Sequence, residues 1–170
     1  MRHIISVLMQ NEAGALARLV GLFSSRGFNI ESLSVAPTHD DSVSRLTLVT
    51  VGNDAVVDQI TKQLSKLIDV VEVLDLSERD HIECELALVK VEVNADNARR
   101  VVECVRRYRG FILDESEDTR TIQISGSGPE VSEFITEMAA LARILEVVRS
   151  GVAAMEPGAR VLALPSVAAA

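Results

Sequence analysis

Two asparagines and a glycine carry the chemistry that can be read from this chain. Asn11, Gly14 and Asn29 all lie in the run NEAGALARLVGLFSSRGFNIESL, from Asn11 to Leu33. Gly14 stands where the helical spacing of Leu16, Leu19, Val20 and Phe23 opens. The first N–H groups of a helix have no intrahelical acceptor and carry partial positive charge, which suits a carboxylate. Asn11 lies just before that opening and Asn29 begins the next strand. A carboxamide both donates and accepts, so the pair suits a zwitterionic amino acid better than a phosphate. Taken singly, Asn11 also reads as an N-cap accepting from the third helical N–H, and Asn29 as a turn residue.

Catalytic and metal-binding patterns are missing from the sequence. His3, His39 and His81 are far apart, with no HExxH and no cysteine at ligand spacing. Gly126 and Gly128 lack a third glycine in register for a dinucleotide turn, and no GKS or GKT follows a glycine loop. No GxSxG elbow surrounds a serine. A non-catalytic binding role is therefore expected, with no metal held by this chain.

The elements that must position Asn11, Gly14 and Asn29 follow from periodicity. Ile4 to Met9 is an apolar run of strand length, and the helix after Gly14 ends at Gly27, with Phe28 placed for the contact of a left-handed glycine cap. Ile30 to Ala36 and Val43 to Val51 read as a hairpin around the polar turn Pro37 to Ser42. Asn53 or Asp54 caps a second helix with Val56, Ile60, Leu64 and Leu67 inside, and Val70 to Leu76 is the fourth strand. The order is βαββαβ with two helical crossovers, the ferredoxin-like arrangement. One face of such a sheet is left bare, and a bare face or edge invites a second copy.

The same order repeats after the polar stretch SERDHIE, Ser77 to Glu83. Leu86 to Val93 is a strand; Asn94 caps a helix lined by Ala98, Val101, Val102, Val105 and Tyr108, and Gly110 ends it. Phe111 to Leu113 and Thr121 to Ser125 form a hairpin whose tip holds Asp114, Glu115, Glu117 and Asp118, a solvated charge cluster. Ser127 and Glu130 make a capping box before a helix lined by Val131, Phe134, Ile135 and Met138, and Ile144 to Val148 closes the unit. The fold class is α+β, two βαββαβ units: residues 1–77, a linker at 78–83, residues 84–152, and a loose alanine-rich tail at 153–170.

Composition narrows the function. The 170 residues are 48% hydrophobic and only 3% aromatic, so the cores must be built from Val, Leu, Ile and Ala. A formal charge of -8 argues against a nucleic-acid binder, which neutralises phosphates with Lys and Arg. One Tyr and four Phe also leave little for stacking bases in an RNA-binding module. No run approaches the length of a membrane span, and MRHIISVLM is cut too early by Gln10, Asn11 and Glu12 for a signal segment, so a cytoplasmic protein is expected. Cys84 and Cys104 read as buried, reduced core residues. Arg99, Arg100, Arg106 and Arg107 fall on the polar face of their helix, an ordinary solvated face or a docking surface for an acidic partner.

NEAGAL at Asn11 to Leu16, LFSSRGFNIESLSVAPT at Leu22 to Thr38, SRLT at Ser44 to Thr47 and EVVRSG at Glu146 to Gly151 resemble the regulatory small subunits of acetohydroxyacid synthase, also called acetolactate synthase. The resemblance implies an N-terminal ACT domain, which binds amino acids, followed by a C-terminal ACT-like domain, with homodimers formed by ACT domains pairing side by side. It places valine-binding positions on Asn11, Gly14 and Asn29. It also implies a partner, the catalytic large subunit, which would hold thiamine diphosphate, Mg²⁺ and FAD; none of these is expected in this chain. The implied function is activation of that subunit and feedback inhibition by valine in branched-chain amino-acid synthesis. A free-standing ACT-domain amino-acid sensor is the alternative, distinguished by whether the protein activates a large subunit.

Overall fold

The computed structural model describes residues 1–162. They form two compact units, one of Met1–Ile82 together with the chain from Ala153, the other of Glu83–Val152. Each is built around a four-stranded antiparallel sheet. Among the described residues no helix is long and apolar enough to cross a membrane.

The first unit runs β1 (Arg2–Gln10), α1 (Ala15–Ser25), β2 (Ser32–Pro37), β3 (Val43–Val51), α2 (Asp54–Leu64) and β4 (Val70–Asp75), with sheet order β2-β3-β1-β4. Ile5, Val7 and Met9 of β1 and Leu46 and Leu48 of β3 meet Leu19 and Phe23 of α1 and Val57, Ile60 and Leu64 of α2 in one core. The spacing of those helical residues is what puts a single apolar stripe against a sheet. At the start of α2 the Asn53 side chain accepts from Val56 N–H, as its sequence position predicts.

Gly27 ends α1 in the left-handed region at φ +69°, where a side chain would be strained. Phe28 N–H donates to Phe23 O at 3.0 Å and Gly27 N–H to Ser24 O at 3.2 Å, the paired bonds of a Schellman motif. The Phe23 and Phe28 rings then meet edge to face, centroids 6.2 Å apart.

The face of this sheet opposite the helices is not bare, contrary to expectation. Ser6, Leu8, Thr47 and Val49 are buried there. Arg45 crosses it, donating from Nε to Ser6 Oγ at 3.1 Å and from Nη2 to Ala154 O at 3.0 Å, and Ala154 N–H approaches Thr47 Oγ1 at 3.4 Å. The strand that carries Ala154 extends through residues the sequence reading assigns to the tail. A short apolar AAM segment has no periodicity of its own; its partners lie more than a hundred residues earlier.

The second unit runs β5 (Ile82–Glu92), α3 (Ala98–Arg107), β6 (Phe111–Glu115), β7 (Thr119–Gly126), α4 (Gly128–Leu141) and β8 (Ile144–Met155), with order β6-β7-β5-β8. Its core gathers Ala87, Val89, Val91, Val101, Cys104, Val105, Ile122, Ile124, Val131, Phe134 and Met138. Ser127 and Glu130 form the expected capping box. Asn94 does not cap α3 directly: the capping position is Asn97, without a side-chain cap, while Asn94 Oδ1 accepts from the N–H groups of Asp96 and Asn97. An asparagine that bonds its own following backbone forms a turn instead of a helix start. Cys104 is buried but Cys84 is exposed, a correction to the sequence reading. In strand β5 the core takes alternate residues Ala87, Val89 and Val91, and Cys84 falls on the other parity.

Candidate functional site

Asn11 and Gly14 lie together at one end of the first sheet. Asn11 N–H donates to Ser42 O at 2.8 Å and its Nδ2 to Asp41 O at 2.9 Å, so the residue is tied to the turn between β2 and β3. It does not cap α1. The capping position is Gly14, at φ +87°, and no side chain caps the helix. Ala15 N–H reaches back to Glu12 O at 3.2 Å, and the rest of the opening keeps the unpaired amides of any helix start. Asn11, Glu12, Ala13 and Gly14 are all exposed.

Asn29 lies at the other end. It precedes β2 by three residues instead of beginning it, because the strand starts at Ser32. Its carbonyl accepts from Thr50 Oγ1 at 2.6 Å and its Nδ2 donates to Glu31 Oε1 at 2.8 Å. Thr50, near the end of β3, and Ser42, just before its start, are the anchors of Asn29 and Asn11 and lie eight residues apart. At about 3.4 Å per residue that is roughly 27 Å. A single copy therefore brings Asn11 and Gly14 together and leaves Asn29 far from both.

One feature of the helix opening is not visible in the sequence. Arg18, one turn into α1, forks onto the buried Asp69 before β4, with Nε to Oδ2 at 2.5 Å and Nη2 to Oδ1 at 2.7 Å. The two residues are 51 positions apart, so no local spacing announces them. Asp69 also closes the end of the sheet, its carbonyl accepting from Gln10 N–H at 2.8 Å. The Arg18 hydrogen bonds hold the Asp69 carboxyl below its ordinary range, and Asp69 in turn raises the Arg18 guanidinium.

A carboxylate that ionises more readily folded than unfolded adds stability above its unfolded pKa of about 3.9, and that stability is lost as pH falls through the lower folded value. Urea unfolding of the full chain is expected to lose stability below about pH 4. Asp40, lowered by Ser42, and Glu130, lowered by Ser127, act in the same direction. Asp69→Asn should make the acid limb shallower; an unchanged limb would detach Asp69 from it.

Elsewhere two of the four helix arginines have acidic partners. Arg99 pairs with Glu103 at 2.9 Å and Arg107 with Glu137 at 2.6 Å, while Arg100 is exposed. Among the described residues no group of three or more His, Cys, Asp or Glu could hold a metal ion.

A family model described as an AHAS small subunit-like ACT domain matches residues 5–72, and one described as the small subunit of acetolactate synthase matches residues 84–158. The chain is 43% identical over 162 residues to the acetolactate synthase isozyme 3 small subunit of Salmonella typhimurium, spanning 95% of this chain and 99% of that one. This chain belongs to the acetolactate synthase small-subunit family. The small subunit of Haemophilus influenzae is 46% identical over 158 residues, 93% of this chain and 97% of that protein. The crystal structure of the Thermotoga maritima acetolactate synthase small subunit superposes with a TM-score of 0.84 at 31% identity, over 94% of this chain and 99% of that one. Both βαββαβ units of this chain are thus those of its family.

Proposed function

We propose that this small subunit is the non-catalytic regulator of a thiamine-diphosphate-dependent acetolactate synthase large subunit, which it activates and makes sensitive to valine. Thiamine diphosphate, Mg²⁺ and FAD belong to the large subunit, and the assembly works in the cytoplasm. The first unit is the ACT domain that senses the amino acid. Valine sits between two copies, its carboxylate at the α1 opening beside Gly14 and its ammonium and carboxylate oriented by Asn11 of one copy and Asn29 of the other.

The placement of the three residues at opposite ends of β3 supports this reading. They can share one small ligand only if a second copy supplies the missing end. β2 is one of the two edge strands of its sheet, with Val35, Ala36 and Pro37 exposed. Two β2 edges running antiparallel about a two-fold axis set the Asn29 end of one copy against the Pro37 end of the other. Pro37 is in register with Ser44, next to the Asn11 end.

The energy required is modest. Millimolar affinity is about 4 kcal/mol, within reach of a helix opening, two carboxamides and an apolar patch. Inhibition needs valine to prefer one state of the assembly by about 1 to 3 kcal/mol. The test is reconstitution with the large subunit. Higher activity in the presence of this chain, falling as valine is titrated, is expected, with dimers in sedimentation at the same concentrations. A chain that leaves large-subunit activity unchanged would overturn the regulatory reading, and activation without any valine response would overturn the sensing site.

A further inference from the structure

The Arg18 and Asp69 pair is a two-point fork of the same kind as Arg149 on Glu85 in the second unit, and what sets it apart is where its free nitrogen lies. Asp69 takes Nε and Nη2 of the guanidinium, which fixes the plane and leaves Nη1 outside the fork. Nη1 is the nearest atom to the place where a side chain on Gly14 would begin, 3.0 Å from that missing Cβ. The guanidinium edge thus stands beside the left-handed glycine that opens α1. A cation near a helix N-terminus is electrostatically unfavourable unless an anion joins it. Asp69 is one such anion, but it is buried and already engaged, and α1 has no acidic residue in its first turn. Glu12 also pulls on Arg18, more weakly than Asp69 does.

We propose that Arg18 Nη1, held in place by Asp69, donates to the carboxylate of the bound amino acid, and that Gly14 is glycine so that this edge can reach the ligand. The inference rests on the amino-acid site proposed above and adds the residue that selects for a free carboxylate. Arg18 is a binding residue and Asp69 a positioning one. A ligand with the same side chain and ammonium but an uncharged carboxamide in place of the carboxylate, such as L-valinamide, lacks the negative charge that Nη1 recognises.

The experiment crosses the protein change with the ligand change. Calorimetric titration of L-valine and L-valinamide into the full chain, repeated for Arg18→Gln, Arg18→Lys and Asn29→His, gives the preference for valine over valinamide in each. Arg18→Gln is expected to weaken valine by roughly tenfold or more, as loss of a charged hydrogen bond does, and to leave valinamide within about twofold, so the preference collapses. Arg18→Lys keeps the charge but cannot fork onto Asp69, and is expected to fall between the two. Equal weakening of both ligands by Arg18→Gln would mean a purely structural role and overturn the assignment, as would an unchanged preference. If Asn29→His removes valine binding while Arg18→Gln keeps the preference, the site stands and the Arg18 assignment falls. If the unaltered chain binds no valine, the site itself falls and the assignment with it.

Discussion

Gly14→Asp should raise the valine concentration for half inhibition of the reconstituted synthase by a hundredfold or more while activation of the large subunit is retained. Three effects act together. Gly14 sits at φ +87°, where a non-glycine residue is strained by about 1 to 2 kcal/mol. Its new Cβ would stand 3.0 Å from Arg18 Nη1 and displace it. The carboxylate would then occupy the helix opening and repel the ligand's own. Each 1.4 kcal/mol is a factor of ten, so a hundredfold loss corresponds to about 2.7 kcal/mol, most of the about 4 kcal/mol with which a millimolar ligand binds, and the displaced Arg18 and the repelling carboxylate are what remove it.

Asn29→His acts from the other end of the sheet. It removes the carboxamide but leaves the backbone carbonyl that Thr50 Oγ1 holds at 2.6 Å, so the fold near β2 should survive. The expected loss of valine response is tenfold or more, the scale of hydrogen bonds to a charged ligand. Steady-state assays with titrated valine decide both variants. Unchanged sensitivity in the two would sink the site. A response lost only in Gly14→Asp would confine the ligand to one copy and remove the need for pairing.

The elements legible in the sequence were those whose signals are local. β3 begins and ends where its apolar run does, at Val43 and Val51, and the Asn53 cap, the Gly27 stop and the Ser127 and Glu130 box are each decided within a few residues. What escaped depends on distant partners. Ala153 to Met155 look like tail because Arg45 and Thr47 are what give Ala154 its place. Arg18 reads as one more polar helix residue until Asp69 arrives beside it from the far end of the unit. Asn94 was ambiguous for a different reason, since the same side chain that caps helices also closes turns, and Asn97 three residues on offers the competing cap position. At the candidate site the residue types were legible, but their division between the two ends of β3 was not.

Phe23→Ala is expected to have a large effect on stability, and it tests whether the end of α1 serves the site as well as the core. Phe23 is 1% exposed, packs with Leu19, Leu48 and Ile60, and meets Phe28 edge to face. Truncating a buried Phe costs about 3 to 5 kcal/mol through lost transfer energy and the cavity left behind. Domains are commonly stable by only about 5 to 15 kcal/mol, so the urea midpoint should drop sharply. Phe134→Ala is the matched control: Phe134 is fully buried in the core of the second unit, edge to face with Tyr108 at 5.4 Å, and the same loss is expected there. The two variants should differ in valine response. Phe23 and Phe28 close the Schellman turn that delivers the chain to Asn29, so Phe23→Ala loosens one arm of the proposed site at temperatures where both variants are still folded. Phe134→Ala leaves that turn intact and should keep its half-inhibitory concentration. Equal valine responses in two variants of equal stability would separate the α1 terminus from the site and leave Asn29 dependent on its Thr50 anchor alone.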